Sequence, residues 1–197
     1  SFLLKNKNFD SFNYISSTRL NFPKKSYINK ISPQLYGGYE IDIYNASKLA
    51  GEALCIQSKI PNVKISRICH VVDPNDTRRE NFVSDICGQA KRGEIVMNSS
   101  LETRKNYIHI NDLSFLLKLI GPFGKENFYN IGSNNLISNN EIAQKLIKIT
   151  NCSLTINNDA QTILEPKIDI SKLIKEFNYQ PTHKNFWLDK VLTILSS

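Results

Sequence analysis

Tyr44 and Lys48 stand four residues apart in Asp42-Ile-Tyr-Asn-Ala-Ser-Lys-Leu-Ala-Gly-Glu52, a spacing that puts both side chains on one face of a helix. An ammonium group beside a phenol favours the phenolate, so such a Tyr takes up a hydroxyl proton near neutral pH. The pair suits reversible oxidation of an alcohol. The spacing alone is weak, because a chain with 8 Tyr and this much Lys contains Tyr-x-x-x-Lys roughly once by chance. Upstream, Asn13-Tyr-Ile-Ser-Ser-Thr-Arg-Leu20 reads as a short strand ending in hydroxyl residues. That places Ser17 at the carboxyl end of a buried strand, where α/β sheets bind ligands.

These residues need a scaffold, and the pattern around them supplies one. Asn13 to Ser17 reads as the buried strand, and residues 21–41, with three Tyr, two Pro and Gly37-Gly38, read as a long irregular connection of the kind that often carries function. Residues 42–58 form the Tyr/Lys helix, with Leu49, Ala50, Ala53 and Leu54 as its apolar face and Pro61 beyond its end; Val63 to Ile68 is the next strand. Strand, helix, strand in this order implies a parallel sheet. After Asp73-Pro74 the polar run 75–80 marks a loop. Phe82, Ile86 and Ala90 then recur at helical spacing up to Gly93, and the change in composition suggests a second lobe. Strands are expected at Ile95 to Met97, near Tyr107 to Ile110 and at Phe128 to Asn130, with a helix from Asp112 to Ile120. Gly121-Pro-Phe-Gly124 reads as a loop. Ser138-Asn-Asn-Glu141 is a capping box opening a helix through Ile142, Leu146 and Ile149. Helices near Ser171 to Phe177 and Phe186 to Leu195 close the chain, which shows no internal repeat.

Composition narrows the classes of function. The 197 residues, 41% hydrophobic and 22% charged, suit a globular chain with one sizeable core. No apolar run approaches the roughly 18 residues that span a bilayer, so no membrane partner is expected and a cytoplasmic location follows by default. The net charge of +7 favours anionic partners, but the charges are dispersed. Lys24-Lys25 and Arg78-Arg79 lack the aromatic-interleaved basic stripe of a nucleic-acid binder. Cys55, Cys69, Cys87 and Cys152 are widely separated and read as free thiols, with Cys55 buried on the Tyr/Lys helix. His70, His109 and His183 show no ligand spacing, and no metal site is expected.

The motifs together resemble a known family. Ser16-Ser-Thr-Arg-Leu20 is similar to the Ser-Ser-x-x-Val-Tyr-Gly segment of the extended short-chain dehydrogenases/reductases, the NAD-dependent epimerase/dehydratase family, and Tyr44-Asn-Ala-Ser-Lys-Leu-Ala-Gly-Glu52 resembles their Tyr-x-x-x-Lys helix. Val63-Lys-Ile-Ser-Arg-Ile68 resembles the strand before their Arg-x-x-Asn-Val-Tyr-Gly-Pro, and Lys105-Asn-Tyr-Ile-His-Ile-Asn-Asp-Leu113 their Arg-Asp-Tyr-Ile-His-Val-x-Asp-Leu. Asn127-Phe-Tyr-Asn-Ile-Gly132, Glu141-Ile-Ala143 and Asp169-Ile-Ser-Lys-Leu173 also find counterparts.

The resemblance implies an α/β fold: a partial Rossmann-like parallel sheet over 1–73, and a small α+β substrate-binding lobe over 74–197, with segments around 107–120 returning to the first domain. It implies Tyr44 as general base or acid on a sugar hydroxyl, Lys48 bonded to the nicotinamide ribose, and Ser17 bridging the substrate oxygen and Tyr44. His70 stands where the family has an Asn near the nicotinamide, and is read as a cofactor or substrate contact or, equally, as a packed loop residue. Ser17, Thr18, Asn81 and Lys105 are the substrate-side candidates, Lys105 in place of an Arg that pairs with the diphosphate, with Arg104 as its one-residue alternative. His109 and Asp112 are read as structural, Asp112 as a helix cap. The family's 4,6-dehydratases carry Thr-Asp-Glu where this chain has Ser17-Thr18-Arg19; without those carboxylates, epimerisation or ketone/alcohol reduction is preferred over dehydration. Leu20-Asn21-Phe22 replaces Val-Tyr-Gly, and His70-Val-Val-Asp-Pro74 replaces Asn-Val-Tyr-Gly-Pro.

No Gly-x-x-Gly-x-x-Gly turn occurs in the sequence, so the chain is read as the carboxyl-terminal two-thirds of a longer enzyme. The leading expectation is an NAD-dependent nucleotide-sugar epimerase or oxidoreductase, NADP not being excluded, homodimeric through the Tyr/Lys helix. The alternatives are an inactive family member acting as a binding or scaffold module and, within the enzyme class, a dehydratase or reductase.

Overall fold

A computed structural model describes residues 9–21, 40–76, 81–185 and 188–190. Contacts divide the chain into two compact units. The first takes its described residues from Ser1–Cys69, Ser114–Ile131 and Ile168–Tyr179, and the second from His70–Leu113, Gly132–Lys167 and Gln180–Ser197.

The first unit is built on a three-stranded parallel sheet of β1 (Phe12–Ser17), β2 (Val63–Ile68) and β6 (Phe128–Ile131), in the order β1-β2-β6. Phe12 pairs with Val63 and Ser17 with Ile68, so both strands end together. A parallel pair requires a crossover, and here it contains α1 (Glu40–Gln57). Positive φ at Lys59 (52°) and Asn62 (61°) turns the chain from α1 into β2. The irregular connection expected over 21–41, with Gly37-Gly38 and Lys24-Lys25, lies almost wholly outside the described residues.

The apolar face expected of α1 is not the face that meets the sheet. Leu49 and Leu54 are half exposed, whereas Glu52 is 2% and Cys55 5% exposed. Counting apolar residues fails here because the sheet-facing positions are held by a close approach and an ionic contact. Gly51 is that approach: a Cβ there would sit 2.1 Å from the Tyr14 hydroxyl oxygen, far inside van der Waals contact. Only glycine lets α1 lie this close to the β1 ring. The Tyr14 hydroxyl donates to the Ser47 carbonyl at 3.4 Å.

The second unit has a more conventional apolar core. β3 (His70–Val72) pairs in parallel with β5 (Arg104–His109), which pairs antiparallel with β7 (Leu136–Ser138). β4 (Glu94–Ser99) pairs in parallel with the nine-residue β8 (Ser153–Gln161). α2 (Phe82–Lys91) and α4 (Asn139–Thr150) pack around Ile86, Ile95, Met97, Ile137, Ile142 and Leu146. Ser138 and Glu141 form the capping box expected from the sequence. α3 covers Ile110–Phe123, and α5, Ser171–Phe177, ends on left-handed Asn178. Gly121 to Phe123 continue α3 instead of forming a loop, since Pro122 lies in the last turn and Gly124 N–H still reaches the Ile120 carbonyl at 3.0 Å. Arg78 and Arg79, and most of the helix expected from Phe186, lie outside the described residues. All four cysteines are buried free thiols, and burial pushes Cys87 up to about 12. Among the described residues no helix is long and apolar enough to cross a membrane.

Replacing Gly51 by Ala should cost about 1–3 kcal/mol by overpacking, read from chemical denaturation, and the cost should largely vanish in a Tyr14→Ala background. An equal cost in both backgrounds would mean that the Tyr14 ring is not what requires glycine.

Candidate active site

Ser17 closes β1 and is 6% exposed, its hydroxyl accepting from the Arg19 N–H at 3.3 Å. The chain then bends through a 3-10 turn, Thr18–Asn21. Thr18 is buried, its hydroxyl directed back to the Ile68 carbonyl at 3.4 Å. The carboxyl ends of β1 and β2 are thereby joined where a parallel sheet presents its ligand site.

Tyr44 lies on the first half of α1, 40% exposed. Lys48, one turn on, donates from Nζ to the Ile15 carbonyl at 2.9 Å and stands 5.6 Å from the Tyr44 ring centroid. The same Nζ is 5.7 Å from the Tyr14 ring, so the ammonium is held between two aromatic faces, an attractive placement for a cation. The guanidinium carbon of Arg19 lies 5.5 Å from the Tyr44 centroid. The structure therefore brings the Ser17–Arg19 segment, Tyr44 and Lys48 to one end of the first unit.

What fixes that end is Glu52, a residue to which the motif assigns no role. Glu52 accepts from the Ser16 hydroxyl at 2.5 Å, from Arg67 Nε at 2.8 Å and from Arg67 Nη2 at 2.6 Å. Burial alone would push the Glu52 carboxyl up, but the Arg67 guanidinium and the Ser16 hydroxyl hold it below the ordinary carboxylate value. Arg67 also donates to Asn21 at 2.5 Å, and Asn21 to Asn130 at 2.8 Å. The chain of polar contacts runs from α1 across β1, β2 and the 3-10 turn to β6. The available signal was the position of Glu52, one turn beyond Lys48, with an Arg in the following strand.

The other candidates belong to the second unit. His70 opens β3, so it is a strand residue and not a loop residue, and its Nε2 lies 2.9 Å from Glu165 Oε1. Glu165 is buried and also accepts from the Asn106 N–H at 2.8 Å. Burial raises its carboxyl while His70 and Asn106 outweigh that and hold it low. No signal in the sequence singled out Glu165. Asn81 is the N-cap of α2: its Oδ1 accepts from Ser84 N–H at 3.0 Å, and its Nδ2 donates to Asp76 at 3.0 Å. Lys105 Nζ lies 4.8 Å from the ring centroid of Phe82, the first residue of α2, so it stands near the helix start that Asn81 caps, while Arg104 is exposed on β5. His109 is buried with Nδ1 accepting from Asn111 N–H, and burial lowers its basicity. Asp112, in the first turn of α3, receives both the N–H and the hydroxyl of Thr182, at 2.8 and 2.7 Å. Among the described residues no group of His, Cys, Asp and Glu could hold a metal.

The model of the NAD dependent epimerase/dehydratase family matches residues 3–132, and the chain belongs to that family. Solved structures share the fold. UDP-glucuronic acid 4-epimerase from Bacillus cereus, in complex with UDP-glucuronic acid and NAD, is 23% identical with a TM-score of 0.71, covering 98% of this chain and 65% of that one. RMD from Pseudomonas aeruginosa complexed with NADPH is 20% identical at a TM-score of 0.73, covering 98% and 67%. dTDP-glucose 4,6-dehydratase from Bacillus anthracis, in complex with NAD, is 17% identical at 0.72, covering 97% and 64%. The chain thus spans about two thirds of the length of these structures. No curated protein matches it.

Replacing Arg67 by Leu leaves Glu52 buried without its cation, and at pH 7 should cost about 3 kcal/mol. Because Glu52 is held low when folded, its contribution is present above an unfolded value near 4.3 and is lost as pH falls through the folded value. The stability gap between parent and variant should therefore narrow in denaturant melts below about pH 4. A gap independent of pH would remove the ion pair from this account.

Proposed function

We propose that the chain carries the catalytic and substrate-binding part of an NAD(P)-dependent enzyme acting on a nucleotide-linked sugar, by an epimerase-like or reductase-like reaction. The observation that supports this most is Lys48, held by the Ile15 carbonyl beneath the Tyr44 ring at the carboxyl end of a parallel sheet. That is where a phenol can exchange a proton with a bound alcohol.

The donor set fits the nicotinamide-ribose end of a dinucleotide. Lys48 uses one of its three N–H donors on Ile15 and retains two for ribose hydroxyls. When bound, the nicotinamide takes up and returns hydride. Tyr44 removes the proton from the sugar hydroxyl as that carbon is oxidised and returns it on reduction. Ser17 orients the same oxygen, and Lys48 supplies positive charge below the phenol while fixing the ribose. Tyr44 and Lys48 are the cofactor-side candidates of the first unit, and His70 is that of the second. Ser17 and Thr18 are the substrate-side candidates of the first unit, and Asn81 and Lys105 those of the second, where the start of α2 suits an anionic diphosphate. Lys105 offers a point charge in place of the planar fork of Arg. Oxidation, rotation and re-reduction need only this single proton relay, so the lack of an acidic pair after Ser17 favours epimerisation or reduction over dehydration.

A second copy is the partner proposed for α1. Ile43 is 68%, Leu49 56%, Leu54 50% and Ile56 56% exposed, an outward apolar stripe on the helix that carries Tyr44. Such a stripe suits association of two helices.

Tyr44→Phe in the cofactor-loaded enzyme should lower kcat at least about a hundredfold with KM for the nucleotide-sugar little changed. Unaltered turnover would take Tyr44 out of the mechanism. For the dimer, Leu49→Glu should shift the sedimentation of the protein from dimer to monomer; a parent that sediments as a monomer contradicts the proposed partner.

A further inference from the structure

We propose that Arg19 selects substrates whose sugar carries a carboxylate beside the reacting carbon, which makes the substrate class a nucleotide-linked uronic acid. This deepens the nucleotide-sugar reading above and rests on it. The two arginines at this end of the first unit differ in what they are bonded to. Arg67 is fully committed, its fork shared between Glu52 and Asn21. Arg19 is half-buried and its guanidinium lies 5.5 Å from the Tyr44 ring centroid. No described residue supplies it with a carboxylate; its backbone N–H is bonded to Ser17.

A guanidinium against an aromatic face, shielded from part of its water and without a counter-charge, pairs best with an anion that accepts two parallel hydrogen bonds. Its position says which anion. The phenol of Tyr44 serves the hydroxyl of one ring carbon, and an arm resting on the same ring reaches groups one or two bonds from that carbon. In a hexose oxidised at C4 those groups are the C3 hydroxyl and the C6 substituent on C5. Of the two, C6 is the one that exists as a carboxyl, in a uronic acid. The diphosphate is a poor alternative, because it is attached at C1, across the ring from C4.

The turn that carries Arg19 is also held in place. Ser17 receives the Arg19 N–H, Thr18 is bonded to the Ile68 carbonyl, and Asn21 is bonded to both Arg67 and Asn130. A charge on a fixed turn discriminates by geometry as well as by sign, and a neutral CH2OH at C6 would leave it unpaired.

The test is calorimetric binding of UDP- and dTDP-linked glucuronate against the matching glucose compounds, with the parent chain, Arg19→Gln and Arg19→Lys. A two-point charge-assisted contact corresponds to a preference of roughly 10- to 100-fold for the uronate in the parent. Arg19→Gln should reduce this preference to within about threefold, and Arg19→Lys should restore part of it. Unchanged thermal melting of the variants checks that they fold. Equal affinity of the parent for uronate and hexose, or an equal weakening of both by Arg19→Gln, overturns the role of Arg19 and leaves the nucleotide-sugar reading standing. Binding of neither compound overturns that reading, and the assignment to Arg19 with it.

Discussion

The Glu52 carboxylate, buried between the Ser16 hydroxyl and the Arg67 guanidinium, is the constraint on which the Tyr44/Lys48 end of the first unit depends. It joins α1 to β1 and β2 at once. A carboxylate this far from water is tolerated only where cation and hydroxyl together replace its hydration, so helix and strands have little freedom to slide past one another. Lys48 lies one helical turn before Glu52 and Tyr44 two turns before it. Fixing Glu52 therefore fixes the rotation of the helix that directs both side chains.

Both units bury large apolar residues, Leu116, Ile120 and Ile131 among them in the first, but the α1 side of the first is held differently. In the second, large apolar residues such as Ile86, Ile95, Met97 and Ile142 are almost fully buried, and position follows from packing. In the first, the core between α1 and the sheet is small, with Cys55, Val63 and Ile65 at its centre. A cavity of about 650 Å³ opens beside those residues, lined also by Ile60 and Phe128. It lies at the amino ends of β2 and β6, opposite the ends where Ser17 and Thr18 sit. Polar contacts and the Gly51 approach supply at the Tyr44/Lys48 end the order that the small core under α1 does not.

Much of this was legible in the residues. Val63–Ile68 coincides with a strand because β-branched Val63, Ile65 and Ile68 are interleaved with polar residues after Pro61, and the capping box at Ser138 fixed the start of α4. The Tyr-x-x-x-Lys spacing placed both groups on one helix face. β8 was missed because Ser-Leu-Thr-Ile-Asn-Asn-Asp-Ala-Gln carries residues of low strand propensity and is ordered by pairing with β4. β3 and β7, three residues each, are too short to show a period. The inward face of α1 was misread because periodicity counts apolar residues, whereas this helix buries a glutamate. Glu165 beside His70 was invisible for a related reason: it lies in an irregular segment, 95 residues along the chain, and only the fold brings the two together.

The account turns on a phenol, an ammonium and a hydroxyl meeting one sugar carbon. A crystal structure of the protein with a nucleotide-linked sugar bound tests this most directly. The account expects one ring hydroxyl at about 2.6–3.2 Å from both the Tyr44 Oη and the Ser17 Oγ, with Lys48 still on the Ile15 carbonyl. A sugar bound with its ring hydroxyls away from Tyr44, or a Tyr44 oxygen turned from Ser17 in that complex, would contradict it.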